Sequence, residues 1–258
     1  MQLNFHKYQG AGNDFIVIDD RELIFPSEDK ALIAKLCDRR FGIGSDGILL
    51  IQNRENADLR IDFLNPDGSR SFCGNGSRCG LRFAAHLGLI KSNCTFTASD
   101  GRHEGRLTED LVHIAMRDVS VVQRNEFGTE LYTGSPHLIR FVEDIDLVDV
   151  DAEGAAIRYN EVYKEEGINV NFVQHIAPDT LQIRTYERGV EGETLACGTG
   201  VTAAALAKAS QERIERKEIF VKARGGDLSV RFEKDGSGFK NIWLTGPAVK
   251  VYEGSVDI

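Results

Sequence analysis

The 258-residue chain has no run approaching the roughly 18 uncharged apolar residues of a membrane span. Its opening, "MQLNFHKYQGAGNDF", lacks the apolar stretch of a secretory signal. Cationic excess is missing too: 31 Lys and Arg against 40 Asp and Glu leave a formal charge of −9, which argues against a nucleic-acid or anionic-membrane partner. Cysteine is scarce. Its 5 copies are an odd number, which speaks for reduced thiols over a disulfide framework. Zinc spacing is absent as well, because Cys73 and Cys79 have no second close pair and the 6 histidines are scattered. Cys37, Cys79 and Cys94 are read as small buried hydrophobes. What remains is 41% hydrophobic and 28% charged, enough for one large globular domain or two ordinary ones. The expectation is a cytoplasmic enzyme or binding protein for a small molecule.

Patterning gives a strand-rich chain with few helices. "FIVIDD" (15–20), "GILLIQ" (47–52) and "LRIDFLN" (59–65) read as strands. "SEDKALIAKLCDRR" (27–40) reads as a helix capped by its serine, with acids in the first turn and basic residues in the last. "SRCGLRFAAHLGL" is helical despite Gly80, and the stretch after it reads as paired strands with glycine turns.

The second half repeats this order. Leu59 and Ile61 in "ADLRIDFLNPDG" match Leu181 and Ile183 in "DTLQIRTYERG", and Cys73 matches Cys197 at nearly the same offset. "FVKARGGDLSVRFE" follows the second helix as "FTASDGRHEGRLTE" follows the first, and "GSPHLIRFVED" answers "GNDFIVID". The repeat predicts an α+β fold of two pseudo-symmetric halves. Each is a strand-rich, barrel-like layer around a central helix, with the active site in the cleft between them. Residues 1–119 make the first half, to which the tail 249–258 returns, and residues 120–248 make the second.

In both halves a cysteine stands at the start of the central helix, in "FCGNG" and "ACGTG". The first N–H groups of a helix lack internal partners and carry its positive dipole end. A thiol there ionises more readily, and the same N–H groups cradle a carboxylate where glycine admits it. One copy alone is equally a nucleophile, a redox thiol or a tight turn. Two matched copies suit mirror-image chemistry, in which a thiolate removes a proton from one face of a carbon and a thiol returns one to the other. The cradle stabilises the charge that develops in between. That is racemase or epimerase chemistry on an α-substituted acid.

The same residues resemble the diaminopimelate epimerases, cofactor-independent enzymes of lysine and peptidoglycan biosynthesis. The likeness runs through "GAGNDFIVID", "GIGSDG", "FLNPDGS", "FCGNGSRC", "GSPH", "INVNF", "YERGVEGETLACGTG" and "GPAVKVYEG". It implies that Cys73 and Cys197 are the acid/base thiols, and that Gly74, Asn75, Gly198 and Thr199 offer backbone N–H groups to the α-carboxylate. Asn13, Asn65, Asn169, Glu187 and Arg188 then bind the substrate, with the Arg188 fork suited to the distal carboxylate. His137 matches a histidine that assists one thiol, and Ser135 stands where family members carry asparagine. Gly47 stands where some carry glutamine. Neither a cofactor nor a metal is implied, and the family often forms homodimers.

Four alternatives carry distinct expectations, and one, a phenazine-biosynthesis-type isomerase of the same superfamily, is disfavoured because that branch does not keep the cysteine pair. A proline racemase or hydroxyproline epimerase shares the fold and the two cysteines, but typically has histidine at the position of Asn75. A thiol redox protein would form a reversible bond between Cys73 and Cys197. A carboxylate-binding protein would tolerate serine at both. Read as turn formers, Asn13 and Asn65 need no function, and the "SDG" at 45–47 and at 99–101 are taken as turns.

Overall fold

The computed structural model describes residues 2–258. The chain divides into two compact units, Met1–Ile114 with Gly246–Ile258, and Ala115–Thr245. In chain order the first carries β1 (Gln2–Gly10), β2 (Asn13–Asp19), α1 (Lys30–Cys37), β3 (Ile48–Gln52), β4 (Leu59–Leu64), α2 (Gly74–His86), β5 (Asn93–Ala98), β6 (Gly101–Leu107) and β7 (Leu111–Ala115). The second carries β8 (Val122–Arg124), β9 (Thr129–Tyr132), β10 (Pro136–Phe141), α3 (Val150–Arg158), β11 (Asn169–Ala177), β12 (Thr180–Glu187), β13 (Gly192–Thr194), α4 (Gly198–Glu212), β14 (Arg216–Ala223), β15 (Gly226–Asp235) and β16 (Gly238–Pro247). The last strand, β17 (Val249–Asp257), pairs with β1.

The repeat seen in the sequence is a repeat of topology. From β1 to β7 successive neighbours pair antiparallel, parallel, antiparallel, parallel, antiparallel and antiparallel. The series β9, β10, β11, β12, β14, β15 and β16 pairs in the same sequence of directions. At the head of each series an antiparallel strand is added, β17 on β1 and β8 on β9. Among the described residues neither series closes into a barrel by pairing its end strands. In the second unit an isolated bridge joins Val119, before β8, to Phe239 of β16.

Strands buried on both faces explain why "ILLIQ" shows no alternation of apolar with polar. In β3, Ile48 and Leu50 join Ile16, Ile18, Ile33 and Leu36 in a core beneath α1. Leu49 and Ile51 point the other way, to Gly76 and Gly80 of α2. Gly80 marks the closest approach, since a Cβ there would lie 2.9 Å from Ile61 Cδ1. A helix-weakening residue is therefore kept because α2 lies against β3 and β4. The outer core of the second unit gathers Leu138, Val150, Ile157, Val170, Phe172 and Tyr186 beneath α3. Its α4 is buried from Gly198 through Ala209 except at Thr199, which requires the small side chains of its alanine run.

The helix expected over 27–40 is shorter. It starts at Lys30, and Asp29 rather than Ser27 caps it by accepting from Leu32 N. Glu28 and Asp29 thus precede the first turn instead of occupying it, because Pro26 and the turn after it delay the helical dihedrals. Among the described residues no helix is long and apolar enough to cross a membrane.

Candidate active site

Each cysteine occupies the N-cap of its unit's central helix in extended conformation, Cys73 on α2 at φ −129° and Cys197 on α4 at φ −116°. Extended dihedrals at the cap turn the side chain back over the first helical N–H groups. Cys73 Sγ accepts from Gly76 N at 3.4 Å. Cys197 Sγ lies 3.4 Å from Thr199 Oγ1. Gly74 and Gly198 open the two helices, where backbone N–H groups have no intrahelical acceptor. Burial pushes Cys79 up to about 12, Cys94 up to about 11, and Cys37 upward.

Around Cys73, Asn75 Nδ2 donates to Asn13 Oδ1 at 2.5 Å, and Asn13 Nδ2 donates to Asp46 Oδ2 at 3.0 Å. Arg78 fixes the other end: Nη2 donates to Asn75 Oδ1 at 2.8 Å, and Nε donates to Pro247 O at 3.3 Å. Its guanidinium is completely buried, and that desolvation lowers it to about 10. Asn65 stands apart from this chain. Its Nδ2 is 3.1 Å from Ser69 O, Ser69 Oγ and Ser71 Oγ, and its carbonyl accepts from Gly68 N. The amide nitrogen thereby organises the "NPDGS" turn that leads to Cys73.

The first "SDG" is more than a turn. Asp46 accepts from Asn13 Nδ2, Asp14 N and Arg39 Nη2. Arg39 also grips Asp14 with both terminal nitrogens, at 2.6 and 3.1 Å, and buried Lys7 reaches Asp14 Oδ2 at 2.6 Å. Gly47 is required by space, since a Cβ would meet Phe63 Cε2 at 2.3 Å and Leu64 O at 2.6 Å. A glutamine at this position therefore needs a different course of the loop beside Phe63.

Burial alone would raise the Asp14 carboxyl, but hydrogen bonds from Arg39 and Lys7 outweigh it and hold Asp14 at about 2. A depressed carboxyl stabilises the fold above its unfolded value near 3.8, and that contribution is lost as pH falls through the folded value. Asp14→Asn should therefore be less stable than the unaltered protein at pH 7. The difference should close between about pH 4 and pH 2 in urea titrations. A gap that stays constant over that range would remove Asp14 as the anion of this cluster.

The residues around Cys197 form one continuous network. Thr199 Oγ1, 3.4 Å from the sulfur, is 2.9 Å from His137 Nε2, and Ser135 Oγ is 3.0 Å from the same nitrogen. Asn169 Nδ2 donates to Ser135 Oγ at 3.1 Å and to Pro136 O at 2.9 Å, while Asn169 Oδ1 accepts from Arg188 N. Thr133 Oγ1 anchors the helix start by donating to Thr199 O at 2.8 Å. His137 is completely buried, and desolvation lowers it to about 3; it is neutral at ordinary pH. Ser135 is short enough to share Nε2 with Thr199.

Glu187 ends β12 and accepts from Thr194 Oγ1 at 2.9 Å. Arg188, next along, is exposed and donates from Nη1 to Glu166 O at 2.8 Å. Among the described residues no carboxylate forms an ion pair with it, so its fork is available to an incoming anion. Sequence reasoning missed Asn171, which is completely buried and donates toward His137 Nδ1, Leu138 O and Asn169 O. The signal was present in "INVNF": residues two apart on a strand share a face, so Asn171 follows Asn169. Among the described residues no group of three or more His, Cys, Asp or Glu is placed to hold a metal ion.

This two-unit α+β architecture is shared with solved structures. A PhzF-family phenazine biosynthesis protein of Bacillus anthracis superposes with a TM-score of 0.75 at 16% identity, covering 100% of both chains. A hydroxyproline epimerase of Agrobacterium vitis superposes with a TM-score of 0.69 at 15% identity, covering 99% of this chain and 91% of its own. At such identities the likeness is one of fold. The sequence places the chain more narrowly. The diaminopimelate epimerase family model matches residues 5–122 and 129–251. The diaminopimelate epimerase of Flavobacterium psychrophilum is 46% identical over 98% of this chain and 100% of its own, and that of Aquifex aeolicus is 38% identical over 98% and 97%. The chain belongs to the diaminopimelate epimerase family.

Proposed function

We propose that the protein interconverts L,L- and meso-diaminopimelate by moving an α-proton between substrate and two thiols, Cys73 and Cys197. The observation that carries this reading is the pair of cysteines capping topologically equivalent helices in a chain of this family. One sulfur, as thiolate, takes the α-proton. The electron pair left on carbon delocalises into the carboxylate, whose growing charge is met by N–H groups of the helix starts, Gly74 and Asn75 on α2 and Gly198 and Thr199 on α4. The other sulfur, as thiol, gives its proton to the opposite face. The two sulfurs end with exchanged protonation, ready for the reverse reaction.

Asn13, Asn65, Asn169, Glu187 and Arg188 are proposed to bind the rest of the substrate, with the exposed guanidinium of Arg188, held at Nη1 by Glu166 O, on the distal carboxylate. An asparagine or glutamate oxygen suits the ammonium groups. Ser135 and His137 serve through Thr199 rather than as bases, since a histidine lowered to about 3 does not hold a proton at neutral pH. The reading carries with it a cytoplasmic location and a homodimeric assembly.

Incubation with L,L-diaminopimelate in deuterated water under reducing conditions should yield the meso isomer with deuterium at one α-carbon. Chelators and carbonyl reagents should not slow it. The absence of both isomer and label would overturn the assignment. Label uptake that depends on only one of the two cysteines would overturn the two-thiol route.

A further inference from the structure

His137 has two ring nitrogens with different neighbours, and the network decides which one carries the proton. Asn171 Nδ2 is 3.1 Å from Leu138 O and 3.2 Å from Asn169 O. Both are backbone carbonyls, which only accept, so the group facing them is the amide NH2. Asn171 Oδ1 correspondingly accepts from Thr185 Oγ1 at 3.0 Å. The same NH2 lies 3.1 Å from His137 Nδ1. An amide nitrogen has no lone pair to accept with, so a proton on Nδ1 would face a donor in a fully buried site and be left without a partner. The neutral ring therefore carries its proton on Nε2.

Nε2–H points at two hydroxyls, Thr199 Oγ1 and Ser135 Oγ. Once Thr199 accepts from Nε2–H, its own proton is directed elsewhere, and Cys197 Sγ lies 3.4 Å away. With the opposite tautomer Nε2 would accept, and Thr199, the nearer of its two hydroxyls, would be drawn to donate its single proton there instead of to the sulfur. We propose that Asn171 is a positioning residue for Cys197: by holding His137 in its Nε2–H tautomer it leaves the Thr199 hydroxyl free to donate to the sulfur. The groups that touch the ring nitrogens, Asn171 on β11, Thr199 on α4 and Ser135 just before β10, are neutral. Arg188 supplies a cationic field that also opposes ring protonation. A charge-assisted hydrogen bond to the thiolate favours that form. Among the described residues the device belongs to the second unit: α2 carries Asn75 at the position of Thr199, and β2 holds no histidine.

The inference rests on the reading of Cys197 as an acid/base thiol, but its test needs no turnover. In protein carrying 15N-histidine, reduced and without substrate, the ring assigned by its loss in His137→Gln should show an unprotonated Nδ1 and a protonated Nε2 at neutral pH. Iodoacetamide labelling followed by peptide mass spectrometry reads each cysteine separately. Thr199→Val should slow Cys197 labelling at neutral pH about tenfold and leave Cys73 unchanged. Asn171→Asp, which offers Nδ1 an acceptor, should move the ring proton to Nδ1 and slow Cys197 by a similar factor. In the Thr199→Val background it should add no further change. A protonated Nδ1 in the unaltered protein overturns the proposal. So does Cys197 labelling that ignores Thr199→Val, an Asn171→Asp effect that persists without the Thr199 hydroxyl, or equal slowing of both cysteines. If Asn171→Asp does not fold, the tautomer and the Thr199→Val profile still decide. Failure of deuterium incorporation would overturn the epimerase reading without touching these readouts.

Discussion

Cys73→Ser and Cys197→Ser, each alone, are expected to lower turnover by about 10²–10⁴-fold, the range in which a positioned acid or base contributes. A serine hydroxyl is a competent N-cap acceptor, able to replace the Cys73 sulfur on Gly76 N and to keep a contact with Thr199 Oγ1 at position 197. It gives up its proton far less readily than a thiol, so the chemistry is lost while the fold is kept. Both directions of the reaction should suffer, since every turnover uses one sulfur as base and the other as acid. Cys37→Ser is the control: its thiol is buried against Ser45 in the core beneath α1, and its removal should leave turnover unchanged. Rates measured from each stereoisomer, with folding checked by circular dichroism, test the pair. A single active-site serine variant with near-normal turnover would end the two-thiol mechanism.

Gly200→Ala should cost stability and activity together. A Cβ at this position would lie 2.4 Å from Asn171 Oδ1, 3.3 Å from His137 Cε1 and 3.4 Å from Cys197 Cβ. The buried amide cannot yield without giving up its carbonyl and hydroxyl partners, so an overpacking cost of about 1–3 kcal/mol is expected. Turnover should fall further than stability explains, because the displaced network is the one that reaches Cys197. The equivalent change in the first unit is gentler. At Gly76 the nearest atom is Leu49 Cδ2 at 3.1 Å, a side-chain methyl that can rotate away. Urea midpoints and kcat for the two variants make the comparison. If Gly200→Ala unfolds and turns over like the unaltered protein, the start of α4 is not held against β11 as described.

Much of this protein could be read along the chain. β2 and β3 were legible because strands buried on both faces leave apolar runs between turn residues, and β4 because Leu59, Ile61 and Phe63 alternate with Arg60 and Asp62. The two central helices were legible despite Gly80 because "FCGNG" and "ACGTG" mark the same event twice. Helix α1 was legible in kind but not in its start, since Asp29 and Ser27 are both competent caps and only the turn after Pro26 chooses between them. The roles of Asp46, Arg78 and Asn171 were not legible. Each acts through partners distant in sequence: Asp46 through Asn13 and Arg39, Arg78 through Asn75 and Pro247 O, and Asn171 through His137 and Thr185.

By itself the sequence determined the duplicated order of strands and helices, the placing of a cysteine at each central helix start, and membership of the family. These follow from local preferences and from motifs whose residues lie within a few positions of one another. Only the tertiary structure decided how the buried polar groups pair. The parallel register that sets His137 beside Asn169, and the antiparallel register that sets Thr185 beside Asn171, are products of strand packing. Buried donors and acceptors must find partners wherever the folded chain brings them. The tautomer of His137, and with it the hydroxyl offered to Cys197, therefore belongs to the packed structure and cannot be found in any one segment.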